Sequence, residues 1–142
     1  MGITTSSHAQ EKELHEACRT GHLQTVKKLI ENKVNLNVFA KDQYTPLHVA
    51  VVCGHSDIVK LLLVNEVDIN IRDGRYERTP LMEAAFYGRK EIFNLLIEFG
   101  ADEKLTNKYK ENVLHFTALL LFLLTQLKKC GHVTKLAISE NQ

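Results

Sequence analysis

The stretch TPLHVAVVCGH at residues 45–55 decides the fold of this 142-residue chain, because related copies of it recur along the sequence. One copy, TPLMEAAFYGR, occupies residues 79–89, and a more divergent one, ELHEACRTGH, occupies residues 13–22. NVLHFTA at residues 112–118 opens a further copy. Self-similarity at a fixed spacing indicates a repeat architecture, in which one small unit is stacked several times.

The spacing of the copies is nearly constant. One position is shared by all four copies, and its occupants lie 33, 34 and 33 residues apart: His15, His48, Met82 and His115. The second half of the unit keeps the same spacing in three apolar segments: HLQTVKKLIENKVNLN (22–37), HSDIVKLLLVNEVDIN (55–70) and RKEIFNLLIEFGADEK (89–104).

Each unit is predicted to contain two short helices. Thr45 is suited to cap the first helix, and Pro46 suits its first turn, where the missing N–H costs little. Neither helix is long enough to be stable alone, so the apolar side of each unit must be covered by the next unit. We therefore expect the equivalent leucines of successive second helices to be buried. These are Leu29, Leu62 and Leu96.

The repeated residues resemble the ankyrin repeat, whose signature is a TPLH-x-A opening, a Gly-His turn between the helices and a leucine-rich second helix. The resemblance covers residues 11–115 and implies an all-α solenoid of stacked helix-turn-helix units with finger loops. The implied repeats span about residues 11–42, 43–76 and 77–109, with an irregular fourth repeat at 110–142. We expect residues 1–10 to form a disordered polar leader.

Two departures from the pattern predict local differences between repeats. Lys33 and Glu66 stand where the third copy has Gly100, and a left-handed backbone at these sites would be strained without glycine. The segment RDGRYER at residues 72–78 holds the one extra residue of the 34-residue step. We expect the second finger loop to bulge or to project further than the others.

The segment FTALLLFLLTQLKKCGH at residues 116–132 is the most apolar in the chain. The turn glycine expected after His115 arrives about ten residues late, which predicts an extended helix from about Glu111 to Lys129, ended by Gly131. A membrane span is the rival interpretation, but the apolar run is shorter than the roughly 17–25 residues that a span needs. Any exposed apolar remainder would favour self-association through residues 116–127, a partner surface or aggregation. An altered transcript end would give the same pattern.

Charge and cysteine content narrow the function classes. A net charge of +1, from 18 Lys and Arg against 17 Asp and Glu, argues against a nucleic-acid binder that works by overall charge. The three cysteines, Cys18, Cys53 and Cys130, are far apart and form no CxxC pair, so we expect reduced thiols in the cytoplasm or the nucleus. The N-terminus shows no secretory signal, although MGITTS matches a pattern for myristoylation of Gly2 that also occurs by chance.

No pattern for catalysis, a cofactor or a metal is present. The recurring histidines fall one per repeat, and packed helices lie about 10 Å apart, which is too far for shared coordination of a metal. The resemblance implies instead that each histidine forms local hydrogen bonds that brace a turn. There is no phosphate-binding glycine loop and no nucleophile motif. The chain is therefore predicted not to be an enzyme.

The residues that differ between repeats are the predicted binding residues, because ankyrin repeats bind partners through finger loops and the exposed ends of first helices. Aromatic and arginine side chains, which are frequent hot spots, are concentrated at these positions. The predicted set is Phe39, Lys41, Asp42, Tyr44, Val52, Arg72, Arg75, Tyr76, Arg78, Phe86, Tyr87 and Tyr109. We expect a groove centred on Arg75, Tyr76, Phe86 and Tyr87. The alternative is that these aromatic rings only pack on neighbouring loops.

The predicted function is that of a non-enzymatic scaffold that binds another protein or peptide through its finger loops and concave face. The basic residues of the fingers are offset in the sequence by Asp42, Asp73, Glu77 and Glu111, a mixture that suits a protein better than a phosphate backbone. The alternative is a membrane-associated adaptor anchored by the apolar helix at 116–127.

The resemblance implies one modification site. Asparagines that precede the finger loops of ankyrin repeats can be hydroxylated by a cytosolic oxygenase, and Asn70 lies in such a context, LLLVNEVDIN. The alternative is that this asparagine only forms hydrogen bonds within its loop.

Overall fold

The computed structural model of the chain describes residues 3–129. Within this range the chain forms seven α-helices and no β-strand, which confirms the all-α prediction. The helices are α1 (Ile3–Thr20), α2 (Leu23–Glu31), α3 (Pro46–Cys53), α4 (Ser56–Val64), α5 (Pro80–Phe86), α6 (Lys90–Glu98) and α7 (Val113–Lys129).

The helices stack as pairs in a regular solenoid. Each of α1, α3 and α5 packs on the helix that follows it, and the pairs then stack in chain order. The inner row is α1, α3, α5 and α7, and the outer row is α2, α4 and α6. Leu29, Leu62 and Leu96 of the outer row are buried, as expected. Each such leucine contributes about 1.5–3 kcal/mol by its removal from water, which makes the contacts between pairs the main source of stability.

Local signals begin and end the inner helices as predicted. The hydroxyl oxygen of Thr45 accepts the backbone N–H of His48, and that of Thr79 accepts the N–H of Met82. Pro46 and Pro80 occupy the first turns of α3 and α5, where no helical N–H bond is lost. Gly54 ends α3 in the left-handed conformation.

The turns after the outer helices carry the predicted strain. Lys33 has φ 59° and Glu66 has φ 61°, while Gly100 at the equivalent site has φ 90°. An L-residue in this conformation costs about 1–2 kcal/mol, because its Cβ approaches the following carbonyl oxygen.

The N-terminal segment differs from the prediction. Helix α1 begins at Ile3, so the expected disordered leader at residues 1–10 is wrong for residues 3–10. Residues 3–20 contain neither glycine nor proline, and the run QEKEL consists of strong helix formers. The helix of the first repeat therefore extends backwards through the polar segment.

Helix α7 is much longer than the other inner helices that follow α1, with 17 residues against eight in α3. This confirms an extended helix, although it begins at Val113 rather than Glu111. Its predicted end at Gly131 and the turn at 130–132 lie outside the described residues. Val113 and Phe116 are buried, whereas most of the leucines that follow are exposed. None of the helices within residues 3–129 combines the length and apolarity that are needed to cross a membrane.

Candidate protein-binding surface

Histidines of the inner helices hold the loops that precede the next inner helix. The Nε2 atom of His15 lies 3.2 Å from the carbonyl oxygen of Tyr44, and that of His48 lies 3.0 Å from the carbonyl oxygen of Arg78. A neutral His48 ring satisfies both of its contacts, since Nε2–H donates to Arg78 and Nδ1 accepts the Thr45 hydroxyl at 2.8 Å. Burial lowers the pKa of His48, which favours this neutral form. The predicted bracing role of these two histidines is confirmed.

The three loops that lead into α3, α5 and α7 form a row of fingers: finger 1 (38–44), finger 2 (71–78) and finger 3 (105–111). The N–H of Gly74 donates to the carbonyl oxygen of Gln43 at 3.0 Å, and the N–H of Lys108 donates to that of Tyr76 at 3.1 Å. Backbone hydrogen bonds therefore join finger 1 to finger 2 and finger 2 to finger 3. The row forms one preformed edge rather than three independent loops.

Finger 2 accommodates its extra residue in a turn organised by Asp73. The carboxylate of Asp73 is buried and accepts the backbone N–H groups of Arg75 at 2.7 Å, Tyr76 at 2.6 Å and Arg78 at 3.1 Å. The base of this loop closes with a bond from the N–H of Asp73 to the carbonyl oxygen of Arg78. These bonds fix the direction in which the side chains of finger 2 leave the backbone.

A cluster of rings and cations lies where finger 2 meets the inner helices. The guanidinium carbon of Arg78 lies 4.8 Å from the ring centre of Tyr76, 4.8 Å from that of Phe86 and 5.3 Å from that of Phe116. Phe86 and Phe116 meet edge to face, with ring centres 6.0 Å apart. We call Arg75, Tyr76, Arg78, Phe86, Lys108, Tyr109 and Phe116 the Tyr76 cluster.

Two tyrosine rings carry this arrangement further across the surface: Tyr109, within the Tyr76 cluster, and Tyr87, beside it. Tyr109 of finger 3 lies 6.5 Å from Tyr76, and Tyr87 lies 5.1 Å from Phe86, measured between ring centres. Tyr109 is 58% exposed, Phe86 is 45% exposed and Tyr87 is 44% exposed. The structure therefore brings together the four residues predicted to form a groove, Arg75, Tyr76, Phe86 and Tyr87, with Arg78 among them. The rings also pack on neighbouring loops. This packing is what the alternative interpretation predicted, and it occurs together with the exposure of the rings.

A buried carboxylate lies beneath Arg78. Glu83 on α5 is fully buried, and its Oε1 atom lies 3.8 Å from the nearest Arg78 nitrogen and 3.5 Å from the Tyr44 hydroxyl. Within the described residues, Oε2 of Glu83 and Nε of Arg78 have no hydrogen-bond partner. Burial raises the pKa of Glu83 to about 7, although the Arg78 charge opposes this shift. The carboxyl group is therefore protonated in a large fraction of molecules near neutral pH.

The other predicted residues lie along the same edge but outside the Tyr76 cluster. Asp42 pairs with Arg19 at 3.1 Å, and the Tyr44 ring stacks on His48 with ring centres 5.7 Å apart. The carbonyl oxygen of Val52 accepts two bonds from the Arg89 guanidinium. Three of the predicted residues are exposed and form no side-chain hydrogen bond, ion pair or ring contact with any residue in 3–129: Phe39, Lys41 and Arg72.

Asn70 lies at the base of finger 2, and its Oδ1 atom accepts the backbone N–H of Asp102 at 2.9 Å. Asn37 makes the equivalent bond with Asp68 at 3.1 Å. Both asparagines thus have a structural role, but their side-chain bonds join successive repeats rather than lying within one loop. Hydroxylation of Asn70 stays a prediction.

Sequence reasoning missed three residues that lie at or beneath this surface: Glu83, Lys108 and Phe116. The repeat spacing contained a signal for two of them, because Val49, Glu83 and Phe116 occupy equivalent positions in successive units. In the sequence, Phe116 is the first residue of the apolar segment 116–132, which hides its equivalence to Glu83. No local pattern marked Lys108, whose side chain reaches Tyr76 only because fingers 2 and 3 are adjacent.

Comparison with known families agrees with the repeat spacing. Residues 5–73 match a family model described as ankyrin repeats in three copies, and residues 76–108 match a model of the single ankyrin repeat. A comparison with curated proteins gave no match.

Proposed function

The chain belongs to the ankyrin repeat family, and we propose that it is a non-enzymatic scaffold that binds another protein through its finger loops and concave inner-helix face. Ankyrin repeats generally mediate protein–protein interactions. The proposed contact residues are those of the Tyr76 cluster together with Tyr87, flanked by the exposed side chains of finger 1.

The observation that carries this proposal is a set of exposed aromatic rings on a rigid support. Phe86, Tyr87 and Tyr109 remain about half exposed, although burial of such rings is strongly favourable. Phe86 and Tyr87 stand at the end of α5, Tyr109 lies on finger 3, and a backbone bond joins finger 3 to finger 2, whose turn is held by Asp73. A preformed surface loses little conformational entropy on binding, so buried aromatic area contributes efficiently to affinity.

The proposal is tested by removing two rings of the Tyr76 cluster. Tyr76→Ala combined with Phe86→Ala should abolish capture of binding proteins from a cell extract by the immobilised full chain, as measured by quantitative mass spectrometry. The helical content, measured by circular dichroism, should remain that of the wild type, because Phe86 is half exposed and Tyr76 lies in a loop.

A matched control removes apolar groups from the opposite side of the solenoid. Val64 ends α4 and Phe99 follows α6, and both are exposed. Val64→Ala combined with Phe99→Ala should leave capture unchanged. Capture that survives the Tyr76/Phe86 double substitution, or that depends equally on the Val64/Phe99 pair, would show that the surface is wrongly placed.

A second candidate function is self-association through residues 116–127, and a specific observation favours it. Leu47 and Leu81 are each 1% exposed, whereas Leu114, at the equivalent position of α7, is 68% exposed. The helix continues with exposed apolar side chains, among them Leu121 and Phe122. Such a contiguous apolar face is typical of a surface that binds another chain.

Light scattering over a wide range of protein concentrations tests this second candidate. Leu121→Glu combined with Phe122→Glu should shift an oligomer to the monomer, whereas Val64→Glu combined with Phe99→Glu should not. A wild-type chain that stays monomeric at all concentrations would refute self-association. Co-flotation of the monomer with phospholipid vesicles would point to a lipid surface instead.

We also propose a cytoplasmic or nuclear location, supported by the free thiols of Cys18, which is buried, and Cys53, which is half-buried. Burial raises the pKa of the Cys18 thiol to about 12, which protects it from reaction as a thiolate. Microscopy of the tagged chain tests the location, and a secretory pattern would contradict it.

A further inference from the structure

Three cationic groups converge on one ring at the centre of the proposed surface. The ring centre of Tyr76 lies 4.8 Å from the guanidinium carbon of Arg78, 4.8 Å from Nζ of Lys108 and 6.0 Å from the guanidinium carbon of Arg75. Nζ of Lys108 also lies 5.1 Å from the ring centre of Tyr109. Cations gathered around one ring share a region of positive potential, so an anion that approaches the site is attracted to it.

Three of the four carboxylates that offset these charges in the sequence are bonded to other groups of the chain, and the fourth, Glu77 of finger 2, is exposed. Asp73 is buried and accepts three backbone N–H groups of finger 2. Glu111 accepts the side-chain amide of Asn107 at 2.9 Å, and Asp42 pairs with Arg19. These bonds occupy the carboxylate oxygens, and within residues 3–129 neither Asp73 nor Glu111 forms an ion pair with Arg75 or Lys108.

The cations of the Tyr76 cluster are correspondingly short of partners. Within the described residues Arg78 has one ion pair, with Glu83 at 3.8 Å, and that carboxyl group is partly protonated near neutral pH because of its burial. Within residues 3–129, Arg75 and Lys108 form no ion pair with a carboxylate. Both side chains belong to exposed residues of adjacent fingers, so an extended ligand that crosses the fingers meets them in turn.

We infer that the partner segment bound by the Tyr76 cluster is an acidic stretch of protein, whose Asp or Glu side chains pair with Arg75 and Lys108 while apolar groups cover Phe86 and Tyr109. This inference rests on the proposed function and names the chemistry of its partner. Arginine pairs with carboxylates through two parallel hydrogen bonds, which gives Arg75 a directional role and leaves Lys108 as a point charge.

The Tyr76 ring is poorly placed to bind a single-stranded nucleic acid, because cations already lie over a face on which a base would stack. Such strands bind by stacking their bases on exposed ring faces along a basic groove. Three cations already lie within 6.0 Å of the centre of the Tyr76 ring, and the whole chain carries a net charge of only +1. A folded domain with local positive charge and aromatic edges suits an acidic peptide better.

The test selects ligands from a library of random linear peptides displayed on phage, using the immobilised full chain. Peptides enriched on the wild type should be rich in Asp and Glu and should bind more weakly at high salt. Arg75→Gln combined with Lys108→Gln should weaken these peptides by about tenfold or more, since charged contacts at a hot spot carry at least that much affinity. Lys27→Gln combined with Lys28→Gln removes the same charge from exposed positions on α2 and should change the affinity little.

Each outcome separates this inference from the proposed function. Enrichment of neutral or basic peptides that still depend on Tyr76 and Phe86 would overturn the acidic partner and leave the scaffold intact. No enrichment above the Tyr76→Ala, Phe86→Ala double variant would overturn both. Tight binding of a labelled single-stranded oligonucleotide that is lost in the Arg75/Lys108 variant would assign the cations to a nucleic acid.

Discussion

The imidazole of His48 lies 3.0 Å from the carbonyl oxygen of Arg78, and this contact crosses the boundary between two ankyrin repeats. His15 makes the equivalent contact with Tyr44. Met82 occupies the same position in the third repeat and has no ring nitrogen to offer. The first two boundaries are therefore bridged by a histidine bond from this position, and Met82 cannot supply the equivalent bond at the third.

Replacement of His48 by methionine should destabilise the fold. The change leaves the carbonyl oxygen of Arg78 without its imidazole donor, and the loss of a bond at a buried site costs about 1–3 kcal/mol. Urea denaturation followed by circular dichroism measures the change in the free energy of unfolding. His22→Met is the control, because His22 is exposed and forms no side-chain cap bond. Equal effects of the two substitutions would show that the bond between His48 and Arg78 does not contribute to the free energy of unfolding.

The reverse substitution, Met82→His, should strengthen the third boundary. By repeat spacing, the new Nε2 atom would meet the carbonyl oxygen of Glu111, the counterpart of Tyr44 and Arg78. We expect a gain of about 1 kcal/mol in the local stability of the start of α7. Hydrogen exchange of the backbone amides of residues 111–116 measures it. Met82→Leu keeps an apolar side chain without a donor and should give no such protection; equal protection in both variants contradicts the expected bond.

Glycine at the two strained turns should stabilise the chain. Lys33→Gly and Glu66→Gly each relieve a left-handed backbone, partly offset by the greater freedom of glycine in the unfolded chain. The net gain should be about 0.5–1 kcal/mol at each site, measured by thermal and urea denaturation. Lys60→Gly, at an exposed position inside α4, should instead cost about 1 kcal/mol. If Lys33→Gly or Glu66→Gly lowers the free energy of unfolding, the left-handed backbone at that site does not destabilise the folded chain.

Stability should depend on pH through Glu83. Its pKa is raised from 4.5 to about 7 in the folded chain, so the folded state binds a proton that the unfolded state has released between these values. The unfolding free energy is therefore highest when the pH is below the pKa of Glu83 in the unfolded chain, and it falls as the pH rises towards 7. Relative to Glu83→Gln, the wild type should lose about 2 kcal/mol of unfolding free energy between pH 5 and pH 8.

The control for this pH effect is Glu16→Gln, because Glu16 occupies the equivalent position of the first repeat and is exposed. Urea denaturation at several pH values gives the unfolding free energy as a function of pH. The two plots should run parallel for this variant and the wild type. If Glu83→Gln also runs parallel to the wild type across this range, Glu83 is ionised in the folded chain and the assignment of a protonated carboxyl is wrong.

Much of the proposed binding surface was predictable from sequence, but the cluster at its centre was not. Phe86, Tyr87 and Tyr109 stood out as aromatic residues at positions that the repeat leaves free. The position of Arg78 among Tyr76, Phe86 and Phe116 was not predictable, because these four side chains come from one finger and two different helices. Their meeting depends on the offset between neighbouring repeats, to which no local pattern refers.

The amino-acid sequence alone determined the order of the helix pairs within residues 3–129 and the caps of α3 and α5. These features follow from short-range signals and from a repeated apolar side that only a copy of the same unit can cover. Only the tertiary structure decided which charges have a partner within residues 3–129. Asp73, Glu83 and Glu111 count equally with Arg75 and Lys108 in the sequence, yet the carboxylates are buried or bonded, whereas the two cations are exposed and form no ion pair in this range. The reason is physical: the free energy of a charge depends on its solvent exposure and its neighbours, and both are set by packing between repeats.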